Sequence, residues 1–186
     1  MSILGAYDDP SIQHFQEMQF MNACIRESLR LNGPSVATIP RLSDSEIHLG
    51  PYAIPPNVPI VLNLYGVAHF DDTWGAPEEF VPDRWLSKSE LDDAWMPFST
   101  GLRRCPAMNF SLYEQRTVLA MLLRKYEWSL PADSPHIDVI QNGLSTFALN
   151  LPKNLKIDFR PVTGEYYIFY EAIVLIVVLN FLLIDY

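Results

Sequence analysis

Apolar residues recur at spacings of three and four from Ile12 through Phe15, Met18, Met21, Ile25 and Leu29, as on one buried face of a helix. Asp9-Pro10 suits an N-cap followed by a first helical proline, and Gly33-Pro34 supplies a stop, so one helix is predicted through about Leu31. Between Glu46 and Leu64 the pattern shifts to short β-rich runs around Gly50-Pro51 and Pro55-Pro56-Asn57, which reads as a hairpin. Periodicity then disappears. From Phe70 to Thr100, Pro77, Pro82 and Pro97 interrupt a stretch in which Trp74, Phe80, Trp85, Trp95 and Phe98 are interleaved, a long aromatic-pinned meander of the kind that is usually functional. A second helix should start just after Cys105, with Pro106 in its first position and Phe110, Tyr113, Val118, Met121, Leu122 and Tyr126 on one broad face, and end before Pro131. The apolar runs 147–151 and 155–159, separated by Pro152-Lys153-Asn154, fit another hairpin. The fold class is therefore mainly α with small β-hairpins (α+β).

Residues 166–184 form a 19-residue apolar stretch whose only charge is Glu171. Roughly 20 apolar residues cross a bilayer, whereas 10–14 more often form a buried or interfacial segment, so this is a borderline membrane span. Lys153, Lys156 and Arg160 precede it and would keep the body cytosolic under the positive-inside bias. Residues 1–33 mix charged and polar side chains without a long apolar run, as a cytosolic start does. Across the 186 residues, 49% are hydrophobic and 19% charged, the balance of a globular chain rather than a disordered one. Thirteen basic against 22 acidic residues give a net charge of −9. With no basic block, the chain lacks the electrostatic footprint for nucleic acid. Two cysteines, Cys24 and Cys105, make neither a disulfide framework nor a zinc cluster, which points to a reducing compartment.

The chemistry concentrates in residues 98–106. Read as the N-cap of the second helix, Cys105 presents its sulfur to unpaired backbone N–H groups and the positive end of the helix dipole, favouring thiolate. Such a thiolate can ligate a metal or act as a nucleophile, while Gly101 permits a tight turn and Arg103 can neutralise a carboxylate. The competing reading is a buried free cysteine. Glu27 and Arg30 form an i,i+3 pair, which on its own is a surface ion pair worth about 0.2–0.5 kcal/mol. His69 and Asp71 read as structural, His14, His48 and His136 as hydrogen-bonded rather than ligating, and Cys24 as core.

Phe98, Gly101, Arg103 and Cys105 fit F-x-x-G-x-R-x-C, and in this the chain resembles the cytochrome P450 superfamily. Glu27 and Arg30 match the family's E-x-x-R, residues 80–85 look like its F-x-P-E-R-[FW] with Asp83 for Glu, and His69 and Asp71 resemble its lead into the meander. The resemblance runs from about His14 to Pro161 and covers the C-terminal portion of the family fold. It divides the chain into a lead-in (1–13), the C-terminal part of a cytochrome P450 domain (14–161) and an apolar tail (162–186). It implies that Cys105 is the axial iron ligand of haem b, that Arg103 and Arg41 pair with its propionates, and that Phe98 and Gly101 shape the cofactor loop. It further implies that Glu27, Arg30 and Arg84 form a buried structural network.

The implied activity is that of a haem-thiolate monooxygenase, an oxidoreductase that inserts one oxygen atom into a small apolar organic substrate. Its electrons would come from an NADPH-dependent reductase. The family's long distal helix, with its proton relay, has no counterpart here, and Ala107 stands where the family places glycine. The alternative is accordingly an inactive or haem-binding-only fragment, possibly membrane-associated through 166–184, and a third reading is an isomerase or dehydratase of the same superfamily. The tail fits a true anchor or a misjoined reading frame equally. An anchored chain would sit on the cytosolic face of the endoplasmic reticulum, and an unanchored one in the cytoplasm.

Overall fold

Ser11, not Asp9, opens the first helix of the computed structural model, which describes residues 9–87, 90–144 and 149–162. The Ser11 hydroxyl accepts the His14 N–H at 3.5 Å and the Ser11 N–H donates to His14 Nδ1 at 3.2 Å, a reciprocal cap that satisfies two donors at once. The single predicted helix is two, α1 (Ile12–Glu17) and α2 (Gln19–Leu31), broken at Met18. At the break the Phe15 carbonyl accepts Asn22 Nδ2 at 2.6 Å; a side chain inserted beside the helical ladder is a recognised cause of kinks.

Strands β1 (Ile47–Leu49) and β2 (Tyr52–Ile54) form the predicted hairpin about Gly50, whose φ of +59° suits glycine. The second turn, at Asn57, extends neither strand; it returns the chain so that Ile60 bridges Arg41 and Asn63 bridges Ala37. Next come α3 (Leu64–Ala68), capped by the Asn63 side chain, and α4 (Asp71–Trp74). Among its described residues the meander has no long element, as its prolines require, but it contains tight 3₁₀ turns at Pro82–Trp85 and Glu90–Ala94.

Helix α5 spans Met108–Lys125. Its predicted broad apolar face is corrected: Phe110, Tyr113 and Met121 are exposed, while Ser111, Leu112, Gln115 and Ala120 are buried. Counting apolar residues missed that a polar pair can face inward when bonded, as Gln115 Nε2 does to Ser111 Oγ at 3.1 Å. Phe15 packs against Ala120, with Met18 and Met21 around them. Arg116 Nε donates to Asn22 Oδ1 at 2.7 Å and ties α5 to α2; burial pushes its pKa below the usual arginine value.

The C-terminal hairpin is also corrected. Strand β3 (Tyr126–Ser129) pairs antiparallel with β6 (Asp158–Pro161), and β4 (Asn142–Leu144) with β5 (Asn150–Pro152). Pairing β6 with β3 sets Phe159 edge-on between Tyr126 and Trp128, at 5.9 and 5.7 Å, a cross-strand aromatic gain that the nearer partner cannot match. Buried His136 fastens this region: its Nδ1 accepts the Gln141 N–H at 3.0 Å and its Nε2 donates to the Lys153 carbonyl at 2.8 Å. That pair of bonds assigns a neutral ring protonated on Nε2. The stretch 166–184 lies outside the described residues, and among those described no helix is long and apolar enough to cross a membrane.

Truncating the buried Phe15 ring opens a cavity between α1 and α5. Phe15→Ala is expected to cost about 3–5 kcal/mol in urea unfolding, and a cost under about 1 kcal/mol would show that this contact is not core.

Candidate functional site

Helix α2 positions Glu27 and Arg30 one turn apart on its inward face, and both are sealed from solvent. Arg30 makes a two-pronged bond to the Glu27 carboxylate, Nε to Oε2 at 3.0 Å and an amino group to Oε1 at 2.9 Å. Its remaining N–H groups reach the carbonyls of Ala68, Pro77 and Glu79 at 2.7–3.0 Å. From the 3₁₀ turn at 82–85, Arg84 Nε donates to Glu27 Oε1 at 3.1 Å and Trp85 Nε1 to Oε2 at 2.9 Å. The Val81 N–H adds a third bond to Oε1 at 3.0 Å. Arg84 also reaches the Trp74 carbonyl. The three predicted network residues therefore meet, Glu27 and Arg30 buried and Arg84 half-buried, rather than forming a surface pair. Burial alone would push the Glu27 pKa up; the bonds from Arg30, Val81 and Trp85, with the Arg30 charge, outweigh it and hold the carboxyl below its ordinary value.

An aromatic ladder continues from this cluster. Trp74, Trp85, Trp95 and Phe98 follow one another at centroid separations of 5.5, 6.3 and 6.1 Å. Trp74 is pinned by its Nε1–H to the Val67 carbonyl at 2.8 Å, and the Arg30 guanidinium lies over its ring at 5.2 Å. At the far end the Phe98 carbonyl accepts the Cys105 N–H at 3.0 Å, closing residues 98–105 into a loop. Ser99 (φ +61°) and Gly101 (φ +73°) turn the backbone left-handed inside it, a conformation that favours glycine at 101.

Cys105 is not the N-cap of α5. That position belongs to Ala107, because Pro106 and Ala107 form a turn in which the Met108 N–H bonds the Cys105 carbonyl at 3.4 Å. The sulfur-bearing residue thus sits two positions before the cap, half-buried. Arg103 is exposed on the 3₁₀ turn Gly101–Arg103. Arg41 is exposed on the edge segment bridged to Ile60, 3.5 Å from the Ser99 hydroxyl. Neither arginine joins the Glu27 cluster. Leu102 projects fully into the open, at 105% exposure. One thiol donor, an unburied leucine and two exposed arginines with no carboxylate partner among the described residues suit a flat apolar macrocycle that carries carboxylates. The residues present fit a haem.

His69 is structural as expected, with Nδ1 2.9 Å from the Tyr65 carbonyl and its ring stacked on Tyr65. Cys24 is half-buried rather than fully core, and burial, then the Asp83 charge, push its thiol pKa up. Sequence reasoning missed Arg26, whose guanidinium lies over the rings of both Trp85 and Trp95. No spacing rule flags such a residue, because Trp95 lies 69 positions further along the chain.

The Cytochrome P450 family model matches residues 1–159. Cytochrome P450 monooxygenase helB2 of Aspergillus fumigatus is 35% identical over 146 residues, 76% of this chain and 28% of that protein. Cytochrome P450 71B31 of Arabidopsis thaliana is 31% identical over 159 residues, 80% of this chain and 30% of that one. A zebra fish cytochrome P450 structure with abiraterone superposes with a TM-score of 0.74 at 19% identity, over 86% of this chain and 36% of that one. The chain belongs to the cytochrome P450 family, a family of monooxygenases for which a haem cofactor is implied. It spans about a third of the length of the curated relatives it matches.

Because the folded Glu27 pKa is depressed, its contribution is complete above the ordinary carboxylate range and is lost as pH falls through the folded value. Glu27→Gln is expected to cost about 3–5 kcal/mol at neutral pH, with the gap to the parent chain narrowing on acidification. Urea titrations at two pH values check this; a gap independent of pH would contradict it.

Proposed function

We propose that this chain is the thiolate-bearing part of a haem-thiolate monooxygenase. The observation that carries the reading is the 98–105 loop, closed by the Cys105 N–H to the Phe98 carbonyl and turned at Gly101, within a chain matched by the family model. Cys105 would be the axial ligand, Arg103 and Arg41 would pair with the propionates of haem b, and Phe98 and Gly101 would set the loop's shape. Glu27, Arg30 and Arg84 hold the meander that leads into this loop. Haem, when bound, supplies one-electron and oxygen chemistry. The protein's part is to fix the thiolate, balance the carboxylates and cover one face with apolar side chains.

In a whole enzyme this arrangement supports oxygen insertion into a small apolar organic substrate with electrons from an NADPH-dependent reductase. A second reading is a chain that binds haem without turning over substrate. The apolar composition of 166–184 supports a membrane segment and hence a cytosolic-face location at the endoplasmic reticulum.

The test is the carbon-monoxide difference spectrum of the reduced, haem-reconstituted chain. A thiolate-type Soret band is expected, absent in Cys105→Ser, with haem affinity lowered about tenfold in Arg103→Ala by loss of a charge-assisted bond. No haem uptake, or a band indifferent to Cys105→Ser, would overturn the reading. Turnover of substrate with a supplied reductase separates the enzyme from the haem-binding fragment.

A further inference from the structure

Arg26 grips the end of the meander in three ways. Its guanidinium carbon lies 4.1 Å from the Trp85 ring centroid and 4.9 Å from that of Trp95. An amino group pairs with the Asp92 carboxylate. Its backbone carbonyl accepts Trp95 Nε1–H at 3.0 Å. The first two grips converge, since the backbone N–H of Trp95 bonds the carbonyls of Leu91 and Asp92, at 3.1 and 3.4 Å. The Nε of Arg26 is buried with no hydrogen-bond partner among the described residues, where ring faces and one carboxylate hold this guanidinium.

What Trp95 holds in turn is the cysteine loop. Its ring meets Phe98 edge-on at 6.1 Å, and the Phe98 carbonyl is the acceptor that closes the loop on the Cys105 N–H. A cavity of about 260 Å³, lined by Arg26, Asp92, Trp95, Phe98, Thr100 and Arg104, lies beside the loop. Solid packing is therefore missing on that side, and the Trp95–Phe98 contact bears on the loop there. Arg26 adjoins Glu27 in the sequence, so two neighbouring residues hold the two ends of the meander: Glu27 the 81–85 end and Arg26 the 91–95 end.

We infer that Arg26 is a positioning residue for Cys105, setting the loop through Trp95 and Asp92 so that the thiolate is presented in one orientation. The inference deepens the proposed function and rests on Cys105 being the haem ligand, but the order of the loop is measurable without haem. Lysine should replace arginine only in part, because a compact ammonium cannot cover two ring faces.

The experiment is amide hydrogen exchange on the full 186-residue chain without haem, followed by the reduced carbon-monoxide spectrum after haem loading. Arg26→Leu should speed exchange across residues 98–105 on the order of tenfold while helix α5 stays unchanged. Arg26→Lys should fall between, and Asp92→Asn should give about threefold in 98–105. In the loaded chain the fraction of thiolate-type Soret band should fall in the same order. Should Arg26→Leu also speed exchange along α5, the whole chain has loosened, and Asp92→Asn, which keeps the stacking, decides alone. Unchanged exchange over 98–105 in Asp92→Asn, or in an otherwise intact Arg26→Leu, overturns the inference. Failure of the parent chain to take up haem overturns the ligand reading of Cys105 instead, and the exchange data still judge the loop.

Discussion

The carboxylate of Glu27 is shut away from water, and everything between α2 and the meander is arranged so that it can remain ionised there. Three donors reach Oε1, from Arg30, Val81 and Arg84, and two reach Oε2, from Arg30 and Trp85. A buried charge is tolerable only when paired and fully hydrogen-bonded, so these donors stand or fall together. Arg30 spreads the constraint further by tying down the carbonyls of residues 68, 77 and 79. One helical turn thereby organises a stretch of chain that has almost no regular structure of its own.

The aromatic ladder transmits that order. A row of rings from Trp74 to Phe98 needs each member set at a definite angle to the next, and each tryptophan in it spends its indole N–H on a fixed acceptor: the Val67 carbonyl, Glu27 Oε2 and the Arg26 carbonyl. Buried aromatic rings supply large apolar area, and their polar edges give them direction. This is how a proline-broken segment delivers the cysteine loop to a defined place without a strand or long helix beneath it.

Much of this was legible in the amino-acid order. The E-x-x-R pair and the arginine of the meander lie on the elements expected of them, and the structure brings Glu27, Arg30 and Arg84 into contact, whereas Cys105 falls two positions before the helix cap assigned to it. What failed did so for identifiable reasons. Periodicity carried one helix through Met18 because it cannot see Asn22 capturing the Phe15 carbonyl. An apolar tally put Phe110 and Met121 on the broad apolar face of α5, yet both are exposed, and the bonded polar pair Ser111 and Gln115 is buried in that helix. Turn chemistry joined 147–151 to 155–159, whereas long-range pairing of Phe159 with Trp128 decides the register. Arg26 was silent because two ring faces far along the chain define its role.

The separations in the Glu27 cluster bear on what lengths the chain can tolerate. Arg30 is three residues from Glu27, but Val81, Arg84 and Trp85 are 54, 57 and 58 away. Closing so long a loop carries an entropic cost that grows only logarithmically, about 0.6 kcal/mol for each doubling. The hairpin β1–β2 and its flanks, which lie inside that loop, are therefore free to lengthen or shorten over evolutionary time at little expense. The anchors at its two ends have no such latitude: shifting the register by one residue between Val81 and Trp85 would strand a buried charge.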